Sequence, residues 1–292
     1  MKKEKLMFKK IFPTLASAIS TLFGNKEIFF PFIVICFIQL FSLEILNLVH
    51  RSPLNLFFAP IIRKLYGEIY LHYPLNFTLL PQLFQYVQIV FYVFVSTFLI
   101  AVAVKAVVEL ESGREDGLNF GSLVKKTLSS YVSLVLTGLL VLAVILLSFK
   151  LFDKVYARAV LISATGGIKF AIKAVIIYGK PFFYLLLNAI ATALFAYVIP
   201  VIIVDKRKIF SAVWVNFKLL FEAPWFTFCI VAIPYVFLVP VLLLKYINFM
   251  GNEYPEIKFW LLVIDVFVMV LIDAVVYTSL TMFYIMKKGE SK

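Results

Sequence analysis

The chain has 292 residues, 63% of them hydrophobic and 15% charged, with 32 phenylalanines and a net charge of +12. A soluble domain carries about 45–50% apolar and about 25% charged residues, so a water-facing globule is excluded. The lysines flank apolar runs, which makes acidic lipid headgroups rather than nucleic acid their partner; two cysteines and two histidines are too few for a usual four-ligand zinc site, and no cofactor is expected.

At the start of the chain, Lys2, Lys3, Lys5, Lys9 and Lys10 precede Pro13 to Ile19, a stretch too short and mixed for the apolar core of a signal sequence. Residues 1–27 therefore read as a retained cytoplasmic amphipathic helix. Six nearly charge-free runs follow, at about 28–49, 83–108, 131–149, 181–204, 225–244 and 259–286. A helix rises about 1.5 Å per residue and the hydrocarbon core is about 30 Å thick, so each run is long enough to cross it. The expected fold is an all-α membrane protein of six transmembrane helices in one integral membrane domain. Cys36 and Cys229 both fall inside runs and read as small packing residues.

The segments between the runs set the orientation. Placing both termini in the cytoplasm puts 16 Lys/Arg on the inner side and 11 on the outer, which agrees with the positive-inside rule for a prokaryotic inner membrane. Segment 50–82 holds Pro53, Pro60, Pro74 and Pro81 among tyrosines, a composition suited to the interface, with a short helix expected over Leu54 to Tyr70. Segment 150–180 is the exception to the charge rule. As one helix it places Lys150, Lys154, Arg158, Lys169, Lys173 and Lys180 in a sector of about 140°, opposite an apolar face. That pattern reads as an outer interfacial helix, broken around Gly166-Gly167; the alternative is a seventh span from about Ala157 to Tyr178.

An internal likeness organises the chain. Lys10-Ile11-Phe12 recurs as Lys208-Ile209-Phe210, and in that register Leu15 meets Val213, Ile19 meets Phe217 and Leu22 meets Leu220. A weaker copy runs from Asn119-Phe120 through Leu123, Thr127 and Tyr131. Each copy has apolar residues three or four apart and leads into a span, as three helical-hairpin repeats would; cytoplasmic amphipathic helices with no common origin would also give this spacing.

Ionisable groups at membrane depth are costly, about 2.5–3.5 kcal/mol each at a helix centre on insertion scales. Asp273 is near the middle of the last run and Asp265 lies eight residues earlier, about 80° round the same helix. Glu44 ends the first run and Lys245 closes the fifth on the same side, so Lys245 has a choice of carboxylates. These four form a candidate intramembrane polar site, either for a cation or proton or as structural hydrogen bonding to Asn188, Gln39 or Thr278. Lys150, Lys154, Arg158, Lys169, Lys173, Lys206, Arg207 and Lys208 are candidate contacts for anionic lipid. No phosphate-binding glycine loop, His-Glu-x-x-His or Gly-x-Ser-x-Gly occurs, and Asp273 follows Val-Leu-Ile rather than the Gly-x-Gly of intramembrane aspartyl proteases.

The stretch Ile199-Pro200-Val201-Ile202-Ile203-Val204-Asp205-Lys206, followed by Phe210-Ser211-Ala212-Val213, resembles the membrane domain fused to some bacterial glycerophosphodiester phosphodiesterases and related stand-alone membrane proteins. The specific match is about 20 residues and carries no catalytic group. The resemblance implies a six-helix membrane module associated with lipid or envelope assembly. The expected role is therefore a non-enzymatic module contacting lipids or other membrane proteins. The alternative is a transporter or channel component using the intramembrane aspartates, and a membrane-embedded lipid enzyme is a distant third.

Overall fold

A computed structural model describes residues 9–113, 118–162, 166–251 and 254–290; among these the chain is mostly helical, with short turns and linkers and no strand. The helices are α1 (Ile11–Gly24), α2 (Lys26–Asn47), α3 (Leu54–Leu65), α4 (Leu75–Glu111), α5 (Phe120–Leu128), α6 (Tyr131–Leu161) and α7 (Gly167–Tyr178). They continue as α8 (Lys180–Leu194), α9 (Val198–Asp205), α10 (Ile209–Glu222), α11 (Pro224–Tyr235), α12 (Val239–Gly251) and α13 (Ile257–Glu290). Among the described residues six helical stretches are long and apolar enough to cross a membrane: α2, α4, α6, α8 with α9, α11 with α12, and α13. With an even number of crossings both ends of the chain share one face, the terminal face; the other is the distal face.

The spans are longer and less regular than the apolar runs. The second begins at Leu75 rather than Leu83, takes Pro81 inside the helix, and carries a π-helical turn at Tyr92–Ser96. There the Thr97 hydroxyl donates to the Tyr92 carbonyl at 2.5 Å. The fourth span breaks at 195–197 between α8 and α9. The fifth tightens to a 3₁₀ turn over Val236–Leu238, directly after Pro234, whose ring and missing N–H interrupt the α-helical ladder.

Segment 150–180 is divided. The third span continues without interruption to Leu161, and α7 starts afresh at Gly167, where a φ of +72° suits a residue without Cβ. The six cations of the expected single sector therefore lie on three elements: Lys150, Lys154 and Arg158 on α6, Lys169 and Lys173 on α7, and Lys180 at the start of α8. With 12 residues, or about 18 Å, α7 is too short to be a seventh span. In segment 50–82, α3 ends at Leu65 before Gly67 at φ +100°, and a 3₁₀ turn follows at Glu68–Leu71.

The two halves of the bundle pack differently. Towards the terminal face, α4 is buried on all sides: Thr97, Leu99 to Val104, Ala106 and Val107 are enclosed by α2, α5, α6, α9 and α13. The alanines at 101, 103 and 106 let these helices approach closely. α9 is also buried from Val198 to Ile203, and so is α13 from Val276 to Leu280. Ion pairs close this end. The Glu109 carboxylate meets Lys105 at 2.9 Å and Lys126 at 3.3 Å, Asp205 meets Lys288 at 2.5 Å and accepts from the Tyr284 hydroxyl at 2.8 Å, and Glu222 pairs with Lys287. Towards the distal face the helices separate and leave two clefts, and a third, about 630 Å³ and apolar, lies between α1, α11 and α13.

Candidate intramembrane site and distal cleft

The larger cleft, about 720 Å³, opens between α4, α8, α12 and α13. Its walls are apolar, with Pro81, Leu242, Leu261 and Leu262, and three lysines line it: Lys180, Lys245 and Lys258. Lys180 meets Asp153 at 3.0 Å and sits over the Tyr156 ring at 4.3 Å, while the Tyr184 hydroxyl donates to Asp153 at 2.5 Å. Lys245 meets Asp265 at 2.8 Å. Both pairs are a quarter to a half exposed, so water and other anions reach them. A second cleft of about 680 Å³ lies on the other side of Asp153 and Tyr184, bounded by Gln85, Leu146 and Lys150.

A second group of polar side chains lies deeper in the same spans. Asp273 is eight residues beyond Asp265 on α13, about 12 Å deeper. The lipid-facing stripe of α13 is Trp260, Ile264, Phe267 and Leu271, all exposed, and Asp273 is about 200° round from Leu271, on the bundle side. Tyr92 of α4, Tyr235 of α11 and Tyr277 of α13 lie close enough to interact electrostatically with its carboxyl group. The Tyr235 hydroxyl is 3.3 Å from that of Thr192 on α8. Among the described residues Asp273 has no ion-pair or hydrogen-bond partner, and it is half-buried.

Of the four residues of the expected polar site, the structure joins Lys245 with Asp265, sets Asp273 a level deeper, and leaves Glu44 apart. Glu44 is exposed on α2 and has no ion-pair partner among the described residues. The basic residues divide between the two faces. Lys150, Lys154, Arg158 and Lys169 are exposed on α6 and α7, and Lys173 donates to the Ile162 carbonyl at 2.8 Å across the turn between them. Lys206 and Lys208 are exposed at the terminal face, and Arg207 there contacts Asp205 at 3.4 Å and Ser211 at 3.2 Å.

Sequence reasoning missed the hydroxyl cluster of Tyr92, Thr192, Tyr235 and Tyr277. A signal existed: tyrosine favours the membrane interfaces, and these three occupy the interior of their spans. It also missed Asn216, whose amide spans the break between α8 and α9, accepting from the Tyr197 N–H at 2.9 Å and donating to the Leu194 carbonyl at 2.7 Å. Asn216 is fully buried on the apolar stripe of α10, a position where a polar residue is itself a clue. No protein-family model, curated protein or solved structure matches this chain.

Proposed function

We propose that this polytopic protein is a non-catalytic lipid-binding module of a prokaryotic inner membrane, with cytoplasmic termini, that holds an acidic lipid in its distal cleft. The observation that carries this reading is an apolar cleft of about 720 Å³ lined by Lys180, Lys245 and Lys258 between separated spans. Acyl chains match the leucine and proline walls, and an anionic headgroup matches the lysines. The carboxylates of Asp153 and Asp265 are partly exposed and can yield Lys180 and Lys245 to a headgroup at small cost. Exposed cations on α6 and α7 enrich acidic lipid at the mouth, each contributing about 1 kcal/mol near a charged surface.

The packing of the amphipathic helices supports a threefold repeat within the module. α5 packs on the terminal half of α4, α10 on α9, and α1 on α13, so each lies against the returning span that precedes it in a cyclic order. In the ungapped register Ile11 and Ile209 are both buried, as are Ala18 and Asn216.

The test is lipid retention by the full-length protein in nanodiscs of mixed phosphatidylglycerol and phosphatidylcholine, read by native mass spectrometry. Wild type should retain phosphatidylglycerol selectively, and Lys180→Gln with Lys258→Gln should weaken retention by about fivefold per lysine. Equal retention by wild type and the double variant, or no preference between the two lipids, would refute the reading.

A further inference from the structure

The hydroxyl cluster around Asp273 lies below the lipid cleft and is not explained by it. A carboxylate placed mid-span is unfavourable unless something neutralises it, and a structural aspartate is normally found paired or hydrogen-bonded. Asp273 has neither kind of partner among the described residues, although lysines stand at both ends of the bundle. The polar groups near it are phenols: Tyr277 one turn further along α13, and Tyr92 and Tyr235 on neighbouring spans, with the Thr192 hydroxyl 3.3 Å from that of Tyr235. A carboxylate with neutral hydroxyls is a hard-oxygen donor set, suited to a proton or an alkali cation and unsuited to a soft metal.

The backbone around the cluster is irregular in a way that serves such a site. Tyr92 opens the π-helical turn of α4, Tyr235 ends α11 at the 3₁₀ turn after Pro234, and Thr192 stands three residues before the break after α8. π-helical turns occur often at functional sites, and broken spans are tolerated at membrane depth where they line an interior space. The larger distal cleft lies between spans that also supply the cluster, and a further cleft of about 630 Å³ opens between α1, α11 and α13 beside Pro234 and Ile272.

We propose that Asp273 binds a single monovalent cation, held by its carboxylate and the neighbouring tyrosine hydroxyls. One positive charge on the carboxylate is the shared chemistry, supplied by H⁺ or by Na⁺. The titratable groups near Asp273 are Tyr92, Tyr235 and Tyr277, and the charged groups towards the distal face on α12 and α13 are Lys245 and Asp265. The proposal rests on different side chains from the lipid reading, so loss of lipid selectivity in the lysine variants leaves it standing.

The test is difference infrared spectroscopy of full-length protein in nanodiscs, titrated separately with pH and with sodium at fixed pH, comparing wild type with Asp273→Asn and Asp265→Asn. The expected result is a carboxyl band that responds to one titrant in wild type and in Asp265→Asn and vanishes in Asp273→Asn. A response to pH alone assigns H⁺, and a response to sodium at fixed pH assigns Na⁺. Spectra of wild type and Asp273→Asn that are identical under both titrations would overturn the proposal. Should Asp273→Asn fail to fold, Tyr235→Phe provides the second arm: it keeps the carboxylate and removes one hydroxyl, and the midpoint of the wild-type response should shift at least threefold. An unmoved midpoint counts against the site.

Discussion

Replacing Asn216 with leucine should destabilise the terminal half of the bundle more than any other single change on α10. The break at 195–197 frees two backbone groups. The Val198 N–H bonds to Phe195 instead of Leu194, and the Tyr197 N–H turns to Asn216. The Asn216 side chain satisfies both the Leu194 carbonyl and the Tyr197 N–H, at 2.7 and 2.9 Å, and no part of it is exposed. Leucine keeps the volume and removes both bonds, leaving a donor and an acceptor buried without partners. Each orphaned group costs about 1–3 kcal/mol, so the loss should be about 2–6 kcal/mol. Reversible unfolding of detergent-solubilised protein, followed by circular dichroism against added sodium dodecyl sulfate, measures it. Lys218→Ala on the exposed side of α10 is the control and should change stability by less than about 0.5 kcal/mol. If Asn216→Leu matches that control, the break is held by something other than this amide and the reasoning fails.

Two further perturbations test the packing. A Cβ at Gly138 would fall 2.9 Å from the Thr97 hydroxyl and 3.2 Å from the Val93 Cα, beside the π-helical turn, so Gly138→Ala should cost about 1–3 kcal/mol by the same unfolding assay. Gly138→Leu should fail to give monodisperse protein on size exclusion, and normal behaviour would show that α4 and α6 are not in close contact there. Glu109→Gln strips Lys105 and Lys126 of their shared carboxylate, whose side chain is only 6% exposed. The cost should be about 1–3 kcal/mol, below that of a fully buried pair because both lysines reach water. Glu109→Leu combined with Lys105→Met should recover most of the loss, and equal instability of the two variants would argue that charge pairing is not the cause.

The amino-acid sequence by itself determined the solvent. Long runs of Ile, Leu, Val and Phe without charge admit one environment and one kind of secondary structure, because in hydrocarbon a helix satisfies its own backbone. The number of spans follows from that, and so does the mid-helix position of Asp273. Periodicity also marked α1, α5 and α10 as amphipathic before any neighbour was known. What these runs could not specify was where a helix bends or which side chains meet. The π turn at Tyr92, the break after Leu194 and the restart at Gly167 depend on partners far along the chain, such as Asn216, which supplies the bonds that make its break tolerable. Likewise Lys245 had two candidate carboxylates in the sequence, and only the approach of α12 to α13 selected Asp265 and left Glu44 exposed. The tyrosines around Asp273 come from three separate spans, and their convergence is a property of helix packing, which hydropathy does not encode because every face of such a helix is apolar enough for lipid.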